Sequence, residues 1–214
     1  MLFINQFKQF NRWLFPSKKN SITLIFHVSI FCRDDRFLIT IGNYRKSMLT
    51  LWSTKDYSHL LNWQNDFSPS YLNCLAWNPF RTNEFCLGSS HGLIHFCTIN
   101  ESTDDSATRS LHVVKGETPI LLNDHTKSSF DLTTCVYLNS TAHLVLCATN
   151  VGFITCWNSR LCLCVLHWRA DLNEICYLST IDGKLLTGSS NGCLKLWTIE
   201  NLEKNLVQID ALDS

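Results

Sequence analysis

The chain has 214 residues, 45% of them hydrophobic, which is enough to bury a sizeable core. Its 18 Lys+Arg balance 18 Asp+Glu, so no global field draws it to nucleic acid or to an anionic membrane, and any partner must be held by local surface. Its 11 cysteines are odd in number and include no Cys-x-x-Cys pair, which argues against a disulfide framework; Cys74, Cys86, Cys135, Cys147, Cys156 and Cys176 read as small buried hydrophobes of a reduced, intracellular protein.

In chain order, residues 1–20 come first and look unlike the rest. Phe3, Phe7, Phe10 and Leu14 stand at helical spacing, which predicts a short amphipathic helix packed on a neighbouring domain, with a membrane-surface helix as the alternative. Asn5, Gln6, Lys8, Gln9 and Asn11 interrupt any secretory signal, and no run approaches the roughly 20 apolar residues that span a bilayer.

Beyond Pro16 the sequence repeats itself. Gly88-Ser89-Ser90-His91-Gly92-Leu93-Ile94-His95-Phe96-Cys97-Thr98-Ile99 aligns without a gap on Gly188-Ser189-Ser190-Asn191-Gly192-Cys193-Leu194-Lys195-Leu196-Trp197-Thr198-Ile199. Further copies run from Leu146 to Trp157 and, more loosely, from Leu38 to Trp52. Each is an apolar strand, a turn and an alternating strand, with glycine supplying positive φ in the turn. A short strand precedes each of the last three pairs, at Tyr71–Trp77, Leu132–Leu138 and Glu174–Leu178, and a fourth strand can follow, as in Cys162–Trp168. The chain is therefore expected to be all-β, in four units of four antiparallel strands at about 21–66, 67–129, 130–170 and 171–214. The units end at Trp52, Cys97 (in place of Trp), Trp157 and Trp197, steps of 45, 60 and 40 residues, and the long step predicts an inserted loop over 100–129.

A four-stranded unit of this length ending in Trp resembles the WD-repeat family, across about Ser21 to Leu212. That resemblance implies a partial β-propeller, a fragment of a larger ring whose missing blades would cover two open edges. It also implies a buried hydrogen-bond network of Trp, strand Ser/Thr, turn Asp and a Gly-His pair. Ser89, Thr149, Ser189 and the Trp residues match their parts, but the Asp positions read His91, Val151 and Asn191 and no Gly-His precedes the first strands. Packing is thus expected to hold the blades, and Trp197→Ala to cost roughly 3–5 kcal/mol if Trp197 is buried.

Candidate chemistry is sparse. Cys162-x-Cys164 lies in an alternating strand, so packing is favoured over zinc, and His91 and His95 straddle a turn and are expected to face solvent or a blade edge. No nucleophile elbow, phosphate loop or distinctive carboxylate pair is present, which predicts no catalysis, cofactor, metal or small-molecule substrate. Glu101–Ser110 is acidic and hydroxyl-rich, a solvated spacer or a phosphorylation-tuned contact. Trp157-Asn158-Ser159-Arg160 resembles the Trp-Asp-x-Arg box by which some WD-repeat proteins dock on a cullin-ligase adaptor, although Trp197-Thr198-Ile199-Glu200 lacks the Arg.

Leu75-Ala76-Trp77-Asn78-Pro79-Phe80, then Asn83-Glu84-Phe85 and Phe96-Cys97-Thr98-Ile99, is similar to the echinoderm microtubule-associated-protein-like propellers and their ciliary relatives, and His167-Trp168-Arg169-Ala170-Asp171 before Ile175 fits the same group. That similarity implies a non-catalytic protein-binding scaffold of the cytoplasm and cytoskeleton, at centrioles or cilia, with tubulin, microtubules or centriolar proteins as partners and neither nucleic acid nor membrane among them.

Overall fold

The computed structural model describes residues 26–42, 48–64, 71–101, 109–116, 130–139 and 141–199. The N-terminal helix expected over 1–20 lies outside them. The described residues form four separate antiparallel meanders, each with its strands in chain order. The first comprises β1 (Phe26–Phe31), β2 (Phe37–Gly42), β3 (Met48–Ser53) and β4 (His59–Gln64); the second comprises β5 (Leu72–Trp77), β6 (Glu84–Ser89), β7 (Ile94–Glu101) and β8 (Arg109–Lys115). The third comprises β9 (Leu132–Tyr137), β10 (Leu144–Thr149), β11 (Phe153–Asn158) and β12 (Leu163–Arg169), and the fourth has three described strands, β13 (Ile175–Ile181), β14 (Lys184–Ser189) and β15 (Leu194–Thr198).

Strand β8 corrects the expected insertion over 100–129. Leu111 and Val113 alternate with Ser110, His112 and Val114 and pack inward, so Arg109–Lys115 completes the second sheet as its fourth strand. Its signal lies behind a polar stretch and carries no tryptophan, which hid it in the sequence.

The turns between second and third strands follow the glycines. Gly92, Gly152 and Gly192 all have φ between +67° and +84°. At Gly152 no other residue fits, because a Cβ would run into the Asp171 carbonyl oxygen and sit 2.8 Å from that of Asn173. The close approach is used: Ala170 N and Asp171 N both donate to Gly152 O, which ties the turn of the third blade to the entry into the fourth.

The first strands β1, β5, β9 and β13 lie beside one another, and the fourth strands run along the rim. Burial follows that arrangement: β5 is almost wholly buried, whereas β8 and β12 alternate between half-buried and exposed. Among the described residues there is no single central core. Three apolar clusters fill the three joints between successive blades, the first built on Ile39, Leu49, Leu51, Leu75, Phe85 and Leu87, the second on Ile94, Phe96, Leu132, Val145 and Trp157, the third on Leu146, Ile154, Ile175 and Leu185.

Large side chains are traded across these joints. Trp63 pairs with Leu49 on the outer strand of the first blade, and its ring meets that of His95 at 6.5 Å where the second blade has Cys97 in place of Trp. Trp168 holds the same register opposite Ile154, and meets Trp197 at 6.3 Å. In the second blade that register position is Gly116, whose N–H donates to Ile94 O. A Cβ at Gly116 would lie 2.5 Å from Ile94 Cγ2 and 3.0 Å from Trp157 Cζ3, so the space belongs to Trp157 of the next blade.

Candidate interaction surfaces

The tryptophans are held by threonines other than the residues the repeat pattern matched. Trp52 Nε1 donates to Thr40 Oγ1 at 2.9 Å, Trp157 Nε1 to Thr155 Oγ1 at 2.8 Å and Trp197 Nε1 to Thr187 Oγ1 at 3.2 Å. Thr40 and Thr187 lie on second strands and Thr155 on a third, but Cys147 pairs with Thr155 as Thr187 pairs with Lys195, so the hydroxyl reaches the same place from either strand. Ser89, Thr149 and Ser189 instead close the turns: Ser89 Oγ donates to Leu93 O, Phe153 N donates to Thr149 Oγ1, and Ser189 N donates to Cys193 O. Of the Asp positions, His91 is the one in left-handed backbone, φ 61°, and its N–H donates to Asp131 Oδ1 of the next blade.

His95 corrects the expectation of a residue that faces solvent or a blade edge. It is fully buried on β7, one strand pairing away from Lys115, and burial with that ammonium nearby lowers its pKa to about 4. His91 is exposed. Cys176 is likewise a correction, being exposed on β13, while Cys74, Cys86, Cys135, Cys147 and Cys156 are buried as free thiols. Burial raises the thiols of Cys147 and Cys156, so they are unreactive apolar filler. Cys162 and Cys164 are half-buried, and among the described residues no group of three His, Cys, Asp or Glu side chains could hold a metal ion.

Two surfaces stand out. The first is the outward face of the fourth blade, where Leu194, Leu196, Tyr177 and Ile181 are 69%, 64%, 53% and 67% exposed. Trp197 on the same blade is half-buried, less than expected for a blade tryptophan, whereas Trp157 is 1% exposed. Asp171, just before β13, accepts from Lys195 Nζ at 2.7 Å and from Asn173 N at 3.0 Å, and the lysine holds its carboxyl well below the usual carboxylate range.

The second surface is a cleft of about 220 Å³ at one end of the joint between the second and third blades, bordered by Arg81, Glu84, Tyr137, His143, Ser159 and Arg160. Two buried asparagines set its walls. Asn78 Oδ1 accepts from Phe80 N and Arg81 N, while Asn78 Nδ2 donates across the joint to Ala142 O at 2.9 Å. Asn158 Oδ1 accepts from Arg160 N and Leu161 N in the same way, and Ser159 N donates to His143 O. Of the Trp157–Arg160 motif, the indole is therefore inside the joint and Arg160 alone is exposed.

Meandering four-stranded sheets stacked through apolar joints define a segment of a β-propeller, the fold that the resemblance to WD repeats implies. Solved structures agree on the fold. The β-propeller domain of Cps50 (Swd1) from Myceliophteria thermophila superposes with a TM-score of 0.64 at 16% identity, over 83% of this chain and 53% of that one. A chain of the mitotic checkpoint complex gives 0.60 at 12% identity, over 85% and 50%, and the computationally designed Ika4 protein gives 0.58 at 14%, over 86% and 96%. In sequence the chain is similar to WD repeat-containing protein 90: 30% identical over 174 residues to that of Xenopus tropicalis and 29% over 170 residues to that of Homo sapiens, 81% and 79% of this chain. It spans 9% of the length of each of these relatives. No family model matches the chain.

Proposed function

We propose that this segment is a non-catalytic protein-binding scaffold of the microtubule cytoskeleton, working at centrioles or cilia as part of a larger propeller. One observation carries the binding role: the fourth blade turns Leu194, Leu196, Tyr177 and Ile181 to solvent at positions whose equivalents in the inner blades are packed against the next blade. An apolar sheet face of this kind is covered by another sheet. The four described sheets match about half of two propeller chains, in keeping with a ring that further blades complete. The location is supported by the similarity to WD repeat-containing protein 90 and by the motif order from Leu75 to Ile99. The chain's even charge overall leaves tubulin or centriolar proteins to be met by local patches. Imaging of the tagged full-length protein tests the location: enrichment at centrioles or axonemes is expected, and diffuse cytoplasmic signal would overturn it.

A second reading, as the substrate receptor of a cullin-type ubiquitin ligase, is favoured by the exposed Arg160 of Trp157-Asn158-Ser159-Arg160. It predicts that the ligase adaptor co-purifies with the protein and is lost on Arg160→Ala.

A further inference from the structure

Among the described arginines, Arg160 is the one whose guanidinium is engaged by nothing. Arg33 donates to Pro79 O, Arg36 pairs with Asp34, Arg81 with Glu84, Arg109 with Glu101, and Arg169 donates to Asp171 O and lies over the Phe153 ring. Arg160 has its backbone fixed by Asn158 Oδ1 and its side chain at the cleft between the second and third blades, with no hydrogen bond or ion pair of its own to a described residue.

The charge balance of that cleft leaves a surplus. Its one carboxylate, Glu84, is neutralised by Arg81, whose Nη1 lies 2.6 Å from Oε1, while Oε2 accepts a hydrogen bond from the neutral Asn78 Nδ2 at 3.1 Å. Arg160 is then an uncompensated cation. The remaining polar lining offers hydroxyl donors, from Thr98, Ser159 and Tyr137, and burial keeps the Tyr137 phenol protonated. A cavity of about 220 Å³ holds one side-chain-sized group, and its walls are set by two asparagine-braced loops from different blades, so little ordering is needed on binding.

We propose that this cleft receives a single oxyanion presented by a partner protein, a carboxylate or a phosphate monoester, with Arg160 as its charged anchor and the Ser159, Thr98 and Tyr137 hydroxyls as neutral donors. Guanidinium suits this task because its planar fork matches an oxyanion in two hydrogen bonds. The cleft would hold such a group wherever the propeller is placed in the cell, so the proposal stands or falls apart from the centriolar location.

Inorganic phosphate and acetate, titrated separately into the full chain at low ionic strength, test it, with amide chemical shifts of Ser159 and Arg160 as the readout. A saturable shift is expected, weakened about tenfold by Arg160→Gln and unchanged by Lys55→Gln on the first blade. Saturation by phosphate alone assigns the cleft to a phosphorylated residue, and saturation by both anions assigns it to an acidic side chain. Absence of saturation by either, or equal weakening in the Lys55→Gln variant, overturns the proposal. Arg160→Gln should keep the melting temperature of the parent, since its guanidinium holds nothing in the fold, so loss of binding cannot be laid to unfolding.

Discussion

The third strands of the second and fourth blades hold equivalent residues in opposite surroundings. Ile94 and Phe96 are 0% and 7% exposed, whereas Leu194 and Leu196, which align with them without a gap and pair with β14 in the same register, are 69% and 64% exposed. Residue type does not separate them. What differs is the neighbour: β7 faces the third blade, with Leu132, Val145 and Trp157 packed against it, while β15 faces no described blade. In a propeller, burial is thus a property of the joint, and a blade's outward face is apolar before anything covers it.

The comparison breaks first at the tryptophans. Trp157→Ala removes a 1%-exposed indole, its bond to Thr155 and the contact that fills the space above Gly116, and should cost roughly 3–5 kcal/mol. Trp197→Ala on the open blade should cost about 1–2 kcal/mol, because its indole is half-buried and already partly hydrated. Urea unfolding of both variants measures the difference; equal losses would mean that the fourth blade is as well covered as the third.

The next effect belongs to the first joint. His95 is fully buried with a pKa lowered to about 4, while the unfolded chain takes its proton near 6.5. The unfolded state therefore binds the proton first, so His95 leaves stability untouched above pH 6.5 and erodes it as the pH falls towards 4, by about 3 kcal/mol at the low end. Stability against pH, compared between the parent and His95→Leu, isolates this slope, which should vanish in the variant. Gly116→Ala sharpens the same point from the packing side. Its new methyl meets Ile94 and Trp157 in a filled joint, and a loss of about 1–3 kcal/mol in urea unfolding is expected.

Much of this fold was legible in the sequence and the joints were not. The gapless alignment of Gly88–Ile99 on Gly188–Ile199 carried the strand–turn–strand units, because period-2 apolar alternation and turn glycines are local signals. Which side of a strand meets a neighbour is decided across blades, so the sequence points His95 to solvent or a blade edge, although the ring of Trp63, on the outer strand of another blade, lies against it in a filled joint. The indole partners escape the sequence for a related reason: Thr155 lies on a third strand and Thr187 on a second strand of another blade, and only the register shows that their hydroxyls serve equivalent positions. The cleft was half legible. Arg160 was marked by its motif, but Arg81, Tyr137 and His143 come to it from separate loops and strands that only folding brings together.

The smallest effect on stability carries the most information about assembly. Leu194→Ser together with Leu196→Ser replaces two residues that are already more than three-fifths exposed, so unfolding should change by about 0.5 kcal/mol or less. Their apolar surface is nevertheless what an added sheet would cover, as Ile94 and Phe96 are covered inside the chain. Light scattering of the parent and the double variant at rising concentration should show association in the parent that the variant lacks. Undiminished association in the variant would move the sticky surface elsewhere, to the edge of β15, which no described strand pairs with, or the opposite face of the first blade, and would remove the main physical reason for placing a partner on the fourth blade.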